Sequence, residues 1–295
     1  MPEETAVADR QRGLPVLLLA FAVWGLFPVY WRYLGEVPAL PLLLLRLILT
    51  SVFCLLLLPL FRQMGPFRGA FRSRRVLSLN LAAALFLSAN WFSFIWAVGN
   101  GRILESSLGY FLCPLVNVLL GWLVEKERLP WVRALAVLCA AGGVSIIILL
   151  AGRLPLAALA IAGSWGFYSL FKKRNPLPPL VSLGLESSLL APLALIGLFA
   201  IPAARFPELT VLTPVAQVLL PFLGAVTALP LLLFAYALPR VPLSTVGMGQ
   251  YIVPSAHFGL ALLFGERLPL AVLGGFAFIW IGLVLFAFGA RQPKN

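Results

Sequence analysis

Six polar side chains stand inside long apolar runs of this sequence: Arg46, Asn90, Asn117, Glu186, Gln250 and His257, with Glu105 near the end of a run. The chain is 61% hydrophobic and only 11% charged. A charge held in hydrocarbon costs at least about 3 kcal/mol, so each of these is a candidate for binding or proton chemistry. Arg46 and Glu186 carry opposite charges about 140 positions apart. Each lies about eight residues into its run, roughly 12 Å at 1.5 Å per residue. A basic and an acidic group at matched depth are expected to pair across a central cavity, either as a structural ion pair or as a site for solute or protons. His257 reads as a hydrogen-bonded packing residue or a ligand contact. Glu125, Glu127 and Glu266 fall at run ends, where helix capping or loop pairing is expected.

The same offset recurs elsewhere. Setting Pro114 on Pro254 also sets Phe94 on Phe234, Ala97 on Ala237 and Gly109 on Gly249. Glu127-Arg128-Leu129-Pro130 returns as Glu266-Arg267-Leu268-Pro269, and Trp24-Gly25 returns as Trp165-Gly166. One unit of about 140 residues is therefore used twice. Pro114 and Pro254 leave the carbonyls of Tyr110 and Gln250 without their usual helical donor. In lipid such carbonyls need another partner or a wet cavity. Interrupted helices at corresponding places in two halves point to a solute site between them. Trp24 and Trp165 read as packing or as cavity lining, and the glycine after each admits a close neighbour.

The elements that must position these residues are membrane helices. Soluble domains carry about 25% charged residues, far above the 11% here, and mean hydropathy is +1.00. Runs long enough to cross a hydrocarbon core of about 30 Å fit ten times, at about 14–34, 38–61, 76–98, 103–124, 131–150, 154–171, 178–201, 214–238, 242–264 and 269–289. The expected fold is an all-α membrane protein with ten transmembrane helices in two inverted five-helix repeats. The first repeat is expected over 14–150 and the second, inverted, over 151–289, with cytoplasmic tails at 1–13 and 290–295. Five spans per unit force the second copy to enter from the opposite side. No two-residue alternation supports a β-barrel.

Net charge is +12. The positives cluster in loops, so they read as topology rather than as a nucleic-acid surface. Of the 22 Lys and Arg residues, sixteen fall on one side, five on the other, and Arg46 within a span. Both termini are therefore expected in the cytoplasm. Three cysteines, all in apolar runs, make no disulfide framework. No cleavage site follows the first run, so a cleaved signal peptide is not expected. An enzyme is poorly served: there is one His, the lone Asp9 is in the tail, and no metal-ligand spacing, phosphate loop or nucleophile elbow occurs. No metal or cofactor is expected. A non-transporting accessory protein and an intramembrane enzyme remain the alternatives.

The segments Asn90-Trp91, Ile95-Trp96-Ala97, Leu104 to Phe111, Pro114 to Gly121, Val226 to Phe234, Pro242 to Thr245 and Gln250 to Pro254 resemble the drug/metabolite transporter superfamily, EamA family, RarD branch. The likeness runs over nearly the whole chain. It implies ten helices in two inverted halves around a central cavity walled by spans 1–4 and 6–9. It also implies export of small metabolites or drug-like solutes from the cytoplasm across a bacterial-type inner membrane. Trp91 and Tyr110, which stand in the matching segments, join Trp24, Arg46, Asn90, Asn117, Trp165, Glu186, Gln250 and His257 as the expected cavity lining. The lipid bilayer, a small solute and protons are the expected partners. A homodimer is left open.

Overall fold

Every backbone N–H and C=O in hydrocarbon must be satisfied within its own segment, and the apolar runs meet that demand as helices. The computed structural model describes residues 3–34, 39–100, 103–151, 156–200, 212–263 and 270–289. Within the first half, α1 spans Glu3–Gly25, α2 Phe27–Tyr33, α3 Ala39–Leu60, α4 Met64–Ala70, α5 Arg74–Gly99, α6 Ile103–Leu123 and α7 Trp131–Ala151. The second half holds α8 Leu156–Lys173, α9 Pro179–Ala200, α10 Pro214–Leu219, α11 Leu223–Ala237, α12 Leu243–Gln250, α13 Ile252–Leu263 and α14 Leu270–Gly289. Among the described residues there is no strand.

Among the described residues, five segments are long and apolar enough to cross a membrane: Gln11–Tyr30, Leu40–Leu60, Arg74–Phe94, Pro179–Ala200 and Pro214–Arg240. Leu108–Leu123, Trp131–Ile146 and Leu273–Gly289 are shorter apolar helices. The remaining two expected spans fall on α8 and on the broken pair α12–α13. Large apolar side chains such as Leu56, Leu193 and Phe199 are exposed on the outer faces, as lipid contact requires.

Two features differ from the sequence reading. The polar stretch expected as a tail is helical from Glu3 onward, continuous with the apolar part of α1. Glu, Ala, Arg and Gln are good helix formers, so the helix extends outward from its apolar part. The two proline-bearing helices also do not match. α6 passes Pro114 unbroken, whereas its counterpart is cut at Tyr251 into α12 and α13. Gly247 and Gly249 stand in the last turn before that cut, and each glycine weakens a helix by about 1 kcal/mol relative to Ala. Pro254 then lies in the first turn of α13, where a missing N–H costs little because first-turn donors have no helical partner.

The helices pair across the two halves. α3 packs on α9, α6 on α12, and α7 on α14. α5 packs on α8 as α1 packs on α11, and α6 on α8 as α1 on α13. The glycines after the paired tryptophans allow two of these contacts. A Cβ on Gly166 would sit 2.5 Å from Val116 of α6, and one on Gly25 would sit 2.6 Å from Ala256 of α13. The main core gathers residues of both halves, including Phe21, Trp91, Trp165, Tyr168 and Phe234. The tail at 290–295, the second Glu-Arg-Leu-Pro segment at 266–269 and the stretch 201–211 lie outside the described residues. So do the side chains of Glu105, Ser106 and Ser107.

Candidate functional site

Three polar groupings are set into the apolar bundle, and the first lies at its aromatic centre. Trp24 and Trp165 meet edge to face at 5.6 Å, and Phe234 packs on them at 5.5 and 5.4 Å. Trp165 Nε1 donates to Gln250 Oε1 at 3.2 Å, and Asn117 Nδ2 donates to the same oxygen at 3.0 Å. Gln250 is the last residue of α12, so the helix break holds its amide between α6 and α8. α12 can approach α6 there because Gly247 lies against the Pro114 carbonyl: a Cβ would come within 2.3 Å of that oxygen. Asn117 Oδ1 is buried without a partner. A buried, unmatched amide oxygen is an acceptor for any donor that arrives. Asn90 Nδ2 donates to the Ile161 carbonyl at 2.8 Å, fastening α5 to α8.

The second grouping surrounds Arg46. Its Nε donates to Thr227 Oγ1 at 3.0 Å, and its guanidinium stacks 4.4 Å from the Trp91 ring centre. Aromatic stacking suits Arg because the planar guanidinium is weakly hydrated. Tyr110 is partly exposed, with its ring 5.9 Å from Phe94, and lies within electrostatic range of the Arg46 guanidinium. His257 is exposed on α13 and lies against the backbone of Trp24.

The third grouping overturns the expected Arg46–Glu186 pair. The ionic partner of Glu186 is Lys172, at 2.7 Å, with both side chains 1% exposed. Ser182 Oγ accepts from Lys172 Nζ at 2.7 Å and donates to Glu186 Oε1 at 2.8 Å. Asn175 Nδ2 donates to Asn80 Oδ1 at 2.8 Å and to Ser182 Oγ at 2.9 Å. Glu186 Oε2 has no partner, and the Tyr168 hydroxyl faces Glu186 without reaching hydrogen-bond geometry. The expected span 154–171, with positive residues read as topology, put Lys172 in a loop. In the structure it lies in the last turn of α8, where the Cα–Cβ bond tilts back toward the helix N-terminus. The ammonium is thereby turned inward instead of toward water.

Asn80, Lys172, Asn175 and Ser182 were missed by reading charges as topology and polar residues one at a time. Ser182 lies four before Glu186, which puts the two on one helix face. That spacing was the available clue. Beside the pair is a cavity of about 320 Å³, lined by Lys172, Asn175, Leu177, Ser182, Pro239 and Arg240. Arg240 Nη1 donates to the Tyr236 carbonyl and its guanidinium lies 3.8 Å from the Tyr236 ring centre, while its Nε has no partner.

Charged groups near this end also tie the halves together. The Glu127 carboxylate accepts from the N–H groups of Leu243 and Ser244, the second at 2.9 Å, at the start of α12. An anion is favoured at a helix N-terminus by the exposed N–H groups and the helix dipole. Glu125 pairs with Arg174 at 2.8 Å. Within the second half, Lys173 Nζ donates to the carbonyls of Leu238 and Val241. Among the described residues no cluster has the makings of a metal site.

Comparison with known proteins places these groupings in context. Residues 11–149 match the EamA-like transporter family. The chain is 40% identical to the uncharacterized transporter YojE of Bacillus subtilis, over 98% of this chain and 97% of that protein. It is 36% identical to the protein RarD of Escherichia coli, over 97% of each. A crystal structure that shares 20% identity superposes with a TM-score of 0.74 over 96% of this chain and 100% of the other. That likeness carries the fold.

Proposed function

This chain belongs to the EamA-like transporter family, and on that premise we propose that it is a secondary transporter exporting small, partly apolar solutes by alternating access. It is a multi-pass membrane protein with the transport role its relatives are named for. The observation that carries the finer reading is the Gln250 amide at the break between α12 and α13. That amide sits between Asn117 and Trp165, where the two halves meet. A broken helix inside the bilayer is tolerated where its backbone is buried in protein or lines a cavity. The reciprocal pairing of helices across the halves supports two inverted five-helix repeats. The bonds from Glu127 to α12 and from Glu125 to Arg174 cross between the halves at one end. Opening that end exchanges them for water, which is the rearrangement alternating access needs.

The aromatic rings around Trp24 and Trp165, with the amides of Asn90, Asn117 and Gln250, supply an apolar bed with few directional contacts. Such a bed suits solutes with an aromatic or aliphatic body. The excess of Lys and Arg on one side supports an inner-membrane protein with both termini in the cytoplasm. Energy from the proton gradient or the solute's own gradient fits a chain without a nucleotide motif, and this reading makes it a carrier and not an enzyme.

The test is twofold. Purified protein in lipid vesicles should carry solute across, and cells with and without the protein should differ in the metabolites of their medium. No flux in vesicles and identical media would overturn the reading. A reporter active only outside the cytoplasm, fused at the C-terminus, should stay silent; strong activity would refute the even span count.

A further inference from the structure

We propose that the cavity beside Lys172 binds the carboxylate of an organic acid, and that each bound carboxylate brings one proton to Glu186. The proposal rests on the transporter reading and adds a solute class and a coupling group to it. It starts from the charge count. Lys172 and Glu186 form a buried pair of net charge zero. A lone anion added beside them would leave a net buried charge, which burial penalises steeply. A carboxylate that takes over the Lys172 ammonium can stay only if Glu186 becomes neutral. The proton is given up by hydronium or a buffer acid of the bulk solution, whose conjugate base stays outside the protein, and forms an O–H bond on Glu186. The ammonium, the bound carboxylate and the carboxylic acid then again sum to zero.

The local geometry suits that exchange. Glu186 Oε2 is buried without a partner, and so is the Tyr168 hydroxyl that faces it. The Tyr168 hydroxyl is both donor and acceptor, so it serves an ionised Oε2 by donating and a protonated one by accepting. The other titratable groups around the carboxyl are Lys172 of α8 and the Cys54 thiol of α3. α5 contributes only the Asn80 amide through Ser182, α4 brings Phe67 against Gly184, and α11 brings Ala235 to the cavity wall. No second carboxylate competes for the proton among these groups. On the solute side, Lys172, Ser182 and Arg240 all line the cavity. The buried Arg240 Nε is a donor without a partner. Leu177 and the prolines of the 176–179 turn give an apolar bed for the body of the acid. A solute handled this way crosses as the equivalent of its neutral acid, so its export runs on the solute's own gradient and not on the inward proton gradient.

The experiment is isothermal titration of the full-length protein in detergent with benzoate and hexanoate, and with benzamide and hexanamide as uncharged counterparts. Runs in two buffers of different ionisation enthalpy read the protons taken up on binding. The carboxylates should bind, the amides should bind at least tenfold more weakly, and about one proton should be taken up per carboxylate at mildly alkaline pH. Glu186→Gln should still bind carboxylates with no proton uptake. The double variant Lys172→Gln with Glu186→Gln, a neutral hydrogen-bonding pair that avoids an unpaired buried charge, should bind neither. Equal binding of acids and amides, binding without proton uptake in the unmodified protein, or carboxylate binding that survives in the double variant would overturn the proposal. No binding of either carboxylate would overturn it as well. Vesicles that still carry other solutes would then leave the transporter reading standing, whereas vesicles that carry none would remove that reading separately.

Discussion

Arg46 and Glu186 occupy equivalent positions in the two halves, yet the bundle treats them differently. Arg46 on α3 donates to the Thr227 hydroxyl and stacks on the Trp91 ring. Glu186 on α9 is locked to Lys172, with Ser182 bridging the pair. The difference follows from the chemistry of the two ions. A guanidinium spreads its charge over a plane and can stack on an aromatic face, which compensates part of its lost hydration. A carboxylate concentrates charge on two oxygens and needs donors. At a helix position where few backbone donors are free, the donor has to be a side chain, and Lys172 reaches it. Symmetry in the sequence therefore matched depth and left the partners unmatched.

The largest expected effect comes from breaking the ionic side of this contrast. Lys172→Ala leaves Glu186 buried without a counter-charge, a loss of about 3–5 kcal/mol. Thermal unfolding in detergent should show it as a marked drop in midpoint. Lys172→Met combined with Glu186→Met should recover most of the loss, since a well-packed apolar pair avoids the desolvation penalty. A single and a double variant of equal stability would mean that the pair is not electrostatically coupled.

Next comes the charge exchange between the symmetric positions. Since Arg46 and Glu186 have different partners, Arg46→Glu with Glu186→Arg should be at least as damaging as the worse single change. A carboxylate at position 46 cannot reproduce the stack on Trp91, and a guanidinium at position 186 faces the like charge of Lys172. Rescue by the double exchange, read as restored yield and folded protein on size-exclusion chromatography, would reinstate direct pairing between the two.

A smaller effect tests the aromatic side. Arg46→Lys keeps the charge but loses the planar stack and the Nε donor. It should cost about 1–2 kcal/mol, most of it absent once Trp91 is also replaced by Leu. A double-mutant cycle on unfolding measures the coupling, and additive effects would show that the stack contributes nothing. Smallest is the exposed pair Glu125–Arg174, whose Arg side chain is 49% exposed. Glu125→Gln should change stability by no more than about 1 kcal/mol. A change as large as that of Lys172→Ala would contradict the distinction between buried and solvent-screened pairs.

The candidate site was partly legible in the sequence. Asn117, Trp165 and Gln250, taken separately as polar or aromatic residues in apolar runs, are joined by one amide oxygen. Asn90 reaches the Ile161 carbonyl of α8. Trp91, matched only through the family likeness, is the ring under Arg46. Tyr110 lies within electrostatic range of Arg46, and His257 meets the grouping around Trp24 only through that residue's backbone. The paired prolines were visible, but not that only one of them would mark a break. Pro114 continues inside α6, while the cut in the second half falls at Tyr251, just before Pro254.

By itself the sequence determined where the chain is apolar, that its pattern repeats, and which few polar groups are carried into apolar surroundings. These are local or periodic properties, and burial of backbone in lipid leaves the helix as the structure that satisfies them. Only the tertiary structure decided which polar group meets which. That depends on the rotation and depth of neighbouring helices and on the tilt of side chains toward each helix N-terminus. Lys172 shows the consequence: its position in the chain marks a helix end, and its side chain completes the buried pair with Glu186.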